Sequence, residues 1–148
     1  MKLGGFDISA SALTAQRLRM DVISANIANA ETTRAGYVNG NFVPYRRKVV
    51  VMEAAQPKFQ DLLGQQLNAS SAQGVRVASI REDSAPFKQV YNPTHPDADA
   101  SGMVYMPNVD MLKEQVDLLA ASRSYEANVT ALNARKSMFM KALEMGRR

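Results

Sequence analysis

Two long segments near the ends of the chain carry apolar residues at a seven-residue spacing. Phe6, Leu13, Met20 and Ile27 form the first series, with Ala10, Ile23 and Ala30 beside it, and neither glycine nor proline occurs between Ser9 and Ala30. That pattern predicts a helix whose apolar stripe is close to a coiled-coil seam. Thr32, Thr33 and Gly36 mark its end. Met111, Leu118, Tyr125, Leu132 and Phe139 form the second series, in a stretch free of proline from Val109 and of glycine before Gly146. Val109, Leu112, Val116 and Leu119 add a second apolar face to its first turns. Asn108 is the expected N-cap, with Asp110 in the first turn, where negative charge suits the helix dipole. At 1.5 Å per residue the two helices would run about 35 Å and about 55 Å.

The middle reads differently. It holds every proline but Pro107 and half of the glycines. Short β-branched or alternating runs at Val49–Met52, Val75–Ala78, Phe87–Tyr91 and Val104–Met106 predict strands. Gln56–Leu67, with Phe59, Leu62, Leu63 and Leu67, is compatible with a helical turn after Pro57, but Gly64 and the Asn68-Ala69-Ser70-Ser71 run favour a loop. Tyr91 to Asp99 is turn chemistry, stiffened by Pro93 and Pro96. The expected fold class is therefore α+β. Two long terminal helices pair as an antiparallel coiled coil (residues 1–36 and 108–148), and a small, mostly β domain (residues 37–107) is inserted between them.

Both helices are apolar or small on more than one face. Ala12, Ala15, Ala25 and Ala28 lie off the first stripe, and Ala120, Ala121, Ala127, Val129 and Ala131 off the second. Small residues on several faces let other helices approach closely, so the pair is expected to be completed by other chains. A monomeric helical hairpin with a β cap is the alternative.

Composition narrows the chemistry. With 148 residues, 46% apolar and 22% charged, the chain is one ordinary domain's worth. It has no cysteine and a single histidine, His95, which leaves thiol chemistry no residue and a Ser–His triad or histidine metal cage almost none. The net charge is +4. It is spread as four basic and three acidic residues over 1–38, seven and six over 39–107, and seven and five over 108–148. A nucleic-acid binder concentrates its basic residues, so this partner is not expected, and neither is a small-molecule substrate or a cofactor. His95, Asp97 and Asp99 read as a proline-stiffened turn rather than a metal site. Glu82-Asp83 puts its carboxylates on opposite faces of a strand, unsuited to acid–base catalysis. Tyr125 lies on the helical stripe and reads as packing. Arg46-Arg47-Lys48 reads as an exposed strand end that salt-bridges neighbours. Asp7 and Ser9 interrupt any signal-peptide core, and no run approaches the roughly 18 apolar residues of a membrane span.

Ser24-Ala25-Asn26-Ile27-Ala28-Asn29-Ala30-Glu31-Thr32-Thr33 and the upstream Ser9–Gln16 resemble the N-terminal signature of the flagellar rod, hook and hook–filament junction family. Pro44-Tyr45-Arg46-Arg47-Lys48, His95–Asp99, Met106–Asp110, Ser122–Val129 and Lys136–Gly146 extend the likeness over nearly the whole chain and narrow it to the rod. The resemblance implies a structural subunit of the proximal rod, without enzymatic activity. Such a subunit is exported without a cleaved signal by the flagellar type III apparatus and polymerises helically through its terminal helices. It implies a drive-shaft location in the basal body, periplasmic where an outer membrane is present. The implied partners are further copies, neighbouring proximal rod subunits, the adaptor joining the rod to the MS ring, and the export apparatus. Phe6, Leu13, Met20, Ile27, Asn26 and Asn29 on the first helix, and Met111, Leu118, Tyr125, Asn128, Leu132 and Phe139 on the second, are the expected assembly positions. The two N-terminal asparagines are expected to set register by inter-subunit or backbone hydrogen bonding, as a polar residue in a helical seam does. A soluble adaptor that binds a partner coiled coil and never polymerises is the other reading of the same helices.

Overall fold

A computed structural model describes residues 4–38, 41–55 and 73–146. Helix α1 spans Gly4–Ala28 and helix α2 spans Met111–Gly146. Between them lie β1 (Gly36–Val38), β2 (Asn41–Val43), β3 (Lys48–Ala54), β4 (Val75–Glu82), β5 (Lys88–Tyr91) and β6 (Met103–Met106). The strands form three separate antiparallel pairs, β1–β2, β3–β4 and β5–β6, rather than one sheet. The loop expected at Gln56–Leu67 lies outside the described residues.

Helix α1 starts earlier than its breaker-free run. Arg135 of α2 donates to the Gly5 carbonyl and to Ser9 Oγ, and these long-range contacts hold a first turn that a Gly-Gly pair would not form alone. Helix α2 starts later, because Asp110 and not Asn108 is its cap: Asp110 Oδ1 accepts from the Leu112 and Lys113 amides at 3.1 and 3.4 Å. Asn26 meets Glu114 and Gly5 meets Arg135, so the helices run antiparallel. At that register roughly ten residues of α2, about 15 Å, pass beyond Gly4.

The β3–β4 ribbon lies along α1. Lys48, at the start of β3, is bonded to Asn26, and the Val75 amide, at the start of β4, donates to Ser11 Oγ at 3.1 Å. Seven strand residues span about 23 Å. Ser11 to Asn26 spans about 22 Å of helix, so strand and helix match in length. Gly74 permits the approach at the far end, since a Cβ there would lie 2.6 Å from Ser11 Oγ. Register along the ribbon is regular apart from a bulge between Val51 and Met52. Helix α1 is thus held between α2 on one side and the ribbon on another, which explains why Ser9, Ala15, Val22, Ile23 and Asn26 are its buried residues.

The seven-residue stripes are not the centre of this packing. Phe6, Leu13, Met20 and Ile27 are half-buried, as are Leu118, Tyr125, Leu132 and Phe139, and Met111 is exposed. On α2, Ala121 is fully enclosed, whereas the stripe residues are only partly covered. A strict heptad drifts by about 20° per repeat on a straight helix. A 100° step per residue puts the Phe6 stripe on the side of α1 away from Ala15 and Val22, and hence away from the ribbon.

The β1–β2 hairpin, with Tyr37 opposite Phe42, is an addition to the strands predicted. Its sequence signal is Asn39-Gly40 between two short runs, the dipeptide that favours tight hairpins. β3 and β4 extend beyond the predicted runs, since pairing carries polar residues such as Lys48 and Glu82 into the ladder. At the base of the helix pair, Val104, Pro107 and Val109 complete the core. Gly102, at φ 75°, makes the left-handed turn into β6.

Candidate functional site

The polar residues converge where α1 ends, β3 begins and α2 begins. Asn26 is 1% exposed, and its side chain uses all four of its hydrogen-bonding positions. Nδ2 donates to the Lys48 carbonyl at 2.8 Å and to Glu114 Oε2 at 3.0 Å. Oδ1 accepts from the Lys48 amide and from the Tyr45 hydroxyl, both at 3.0 Å. Lys48 faces Glu82 in the ladder, while the Asp83 amide donates to the Arg47 carbonyl. In an antiparallel ladder such bonding alternates, so both peptide groups of Lys48 point away from β4 and toward α1.

Glu114, also 1% exposed, is the second member. Arg47 Nε donates to its Oε1 at 2.6 Å. The same guanidinium reaches Asp83 at 3.3 Å and Asp117 at 3.6 Å. Burial opposes the charge on Arg47, but hydrogen bonding and attraction from Glu114, and then from Asp83, outweigh it and hold the group above its ordinary value. The Ala85 amide, followed by Arg47, holds Asp83 below the usual carboxylate range. Burial, then the charges of Glu114 and Glu82, push the Tyr45 hydroxyl up, so it stays a donor to Asn26. Asn108 closes the cluster. It accepts from the Arg47 amide at 2.8 Å and donates to the Ala85 carbonyl at 3.1 Å. Arg46-Arg47-Lys48 is therefore not a free basic strand end: Arg47 is paired inside the chain, and Arg46 lies 4.6 Å from the Phe87 ring centre.

A second clasp ties the chain after α1 to the turn before β6. Thr33 Oγ1 and Arg34 Nε donate to Asp97 at 2.8 and 2.7 Å. Arg34, then Thr33, holds Asp97 below the ordinary carboxylate range. The Asp97 amide donates to His95 Nδ1 at 3.1 Å. These residues make a structural turn, and among the described residues no group of three His, Cys, Asp or Glu side chains is placed to hold a metal.

The expected assembly positions separate. Asn26 is buried, and its side chain is bonded inside the chain, to the Lys48 backbone among others. Asn29 donates to the Ala25 carbonyl and accepts from Thr32, closing the end of α1, and Asn128 donates to the Ser124 carbonyl. The apolar positions remain half-buried or exposed. Leu112, Val116 and Leu119 are 72%, 61% and 58% exposed. Sequence reasoning missed Glu114 and Tyr45 as partners of Asn26, and no local pattern marks them.

No helix among the described residues is long and apolar enough to cross a membrane. Residues 6–35 match the family model described as flagella basal body rod protein, and residues 100–145 match that of the flagellar basal body rod FlgEFG protein C-terminal. The flagellar basal-body rod protein FlgC of Bacillus subtilis (strain 168) is 57% identical over 143 residues, covering 95% of each chain. Its namesake in Borreliella burgdorferi is 44% identical over 93% of this chain and 92% of its own. That of Salmonella typhimurium is 44% identical over 95% of both. With rod-protein models at both ends and relatives of that name along almost all of its length, this chain belongs to the FlgC family of flagellar basal-body rod proteins, structural components rather than enzymes.

Proposed function

We propose that the chain is a structural subunit of the proximal rod, exported unfolded by the flagellar type III apparatus and polymerised helically through its terminal helices. The helix pair (residues 1–36 and 108–148) forms the inner layer lining the export channel, and residues 37–107 face outward. The observation that carries this reading is the apolar surface left on the helices after they have paired. Leu112, Val116 and Leu119 cover a second face of α2, and Met138, Met140, Leu143 and Met145 cover its last turns. Exposed apolar area of this extent marks contact with other proteins. The half-buried stripes, Phe6, Leu13, Met20 and Ile27 on α1 with Leu118, Tyr125, Leu132 and Phe139 on α2, add a further contact surface. Neighbours are copies of this chain, the adjacent proximal rod subunits and the adaptor to the MS ring, inside the cell envelope.

Leu119→Asp tests the proposal. Leu119 packs little within its own chain, so export and the fold of the isolated chain are retained while rod assembly and swimming are lost. Normal motility in that variant overturns the reading. A non-polymerising adaptor predicts intact rods with loss of one soluble complex instead.

A further inference from the structure

We infer that Asn26 acts as a surrogate strand, setting the angle between the β3–β4 ribbon and the helix pair. Its amide oxygen and one amide hydrogen engage the N–H and C=O of Lys48, the two groups that a neighbouring strand would engage. Its second hydrogen is held by Glu114 on α2, and its second lone pair by Tyr45. One side chain therefore joins α1, α2, the start of β3 and the segment leading into it. Apolar packing on Ala15 and Val22 holds the ribbon against α1, but such packing is non-directional and does not fix its angle. Val49 and Ile80, on opposite faces of the ribbon, are both exposed, and a two-stranded ribbon is marginal alone. Ser11 anchors the other end through the Val75 amide, so two polar contacts define the line along which the ribbon lies.

Only asparagine has this chemistry at this length. Leucine keeps the branched shape and removes the Asn26 bonds to the Lys48 backbone, the Tyr45 hydroxyl and Glu114 Oε2. Aspartate keeps the shape and loses both donors, so a carboxylate faces the Lys48 carbonyl and Glu114. Arg47 remains on the other Glu114 oxygen, and the Lys48 ammonium lies over the Tyr45 ring, 5.8 Å from its centre, so neither supplies the missing donor. In the rod the ribbon angle decides which surface meets the neighbouring subunit, a consequence that rests on the function proposed above.

The absence of native cysteine makes the test direct. Cysteines at Ala78 on β4 and Ala127 on α2, both exposed, carry spin labels in the full chain, and pulsed dipolar spectroscopy reads the distance between them. The parent is expected to show one narrow distance peak. Asn26→Leu loses it while circular dichroism keeps the helix signal. Asn26→Asp, which keeps the shape and the acceptor but has no donor for the Lys48 carbonyl, loses it at neutral pH as well. An unchanged narrow peak in either variant at neutral pH overturns the inference. The measurement is made on the isolated chain, so it stands or falls separately from the Leu119→Asp assembly test.

Discussion

Where α1 ends and α2 begins, Asn26, Arg47 and Glu114 satisfy one another inside the chain, whereas the last turns of α2 leave Met138, Met140, Leu143 and Met145 at 64%, 51%, 56% and 74% exposure. The two ends of one helix pair are thus built for different partners. At the first end, buried polar groups demand exact companions, and an unpaired one is costly. The chain supplies those companions itself, so that end defines the subunit's own geometry. At the second end, apolar side chains demand only to be covered. Apart from Arg135 on Gly5 and Ser9, the contacts described there leave the covering to neighbours.

Glu114→Ala is the strongest attack on the self-sufficient end. It leaves Arg47 to Asp83 and Asp117 and removes one partner of Asn26. Leaving a buried donor unsatisfied in this way costs about 1–3 kcal/mol. A urea melt of the purified chain is expected to show that loss, and a change within experimental error would mean that the network does not organise this end.

Hydrogen exchange sharpens the contrast between the ends without a mutation. Amides of α2 near Ala121 are expected to be protected in the dilute chain. Those after Arg135 should exchange within the first time points and become slow on assembly, since helical ends without packing open at nearly no free-energy cost. Equal protection along α2 in the dilute chain would erase the distinction.

The smallest effect is expected at the Asp97 clasp, which is a surface feature. Arg34 and Thr33 depress the Asp97 pKa, so its stabilisation is complete above the unfolded carboxylate value and fades as pH falls below about 4. Asp97→Asn should flatten that acid limb of the stability profile and leave neutral pH nearly unchanged. An unaltered acid limb would remove Asp97 from the account.

Much of the architecture was legible from local pattern. The helices were, because periodicity and the lack of breakers act over a few residues. So were the cores of four strands. The heptad stripes were legible as apolar surfaces but not as to how far they are covered, because long-range bonds such as Arg135 to Ser9 and Asn26 to Glu114 set how the helices face each other. Asn108 looked like the cap of α2 because it is a good N-cap residue, yet Arg47 and Ala85 claim its side chain. Asn26 stood out through the family signature, while its partners did not.

The sequence by itself determined the terminal helices, the β character of the middle, the lack of thiol and histidine chemistry, and membership of the rod family. These follow from residue identities and short spacings. Tertiary structure alone decided that Arg47 is paired rather than free, that Asn26 is buried rather than presented, and which apolar faces remain uncovered. The deciding bonds join residues 22 to 88 positions apart, such as Asn26 to Lys48 and to Glu114, a separation at which chain folding, and no local propensity, chooses the partner.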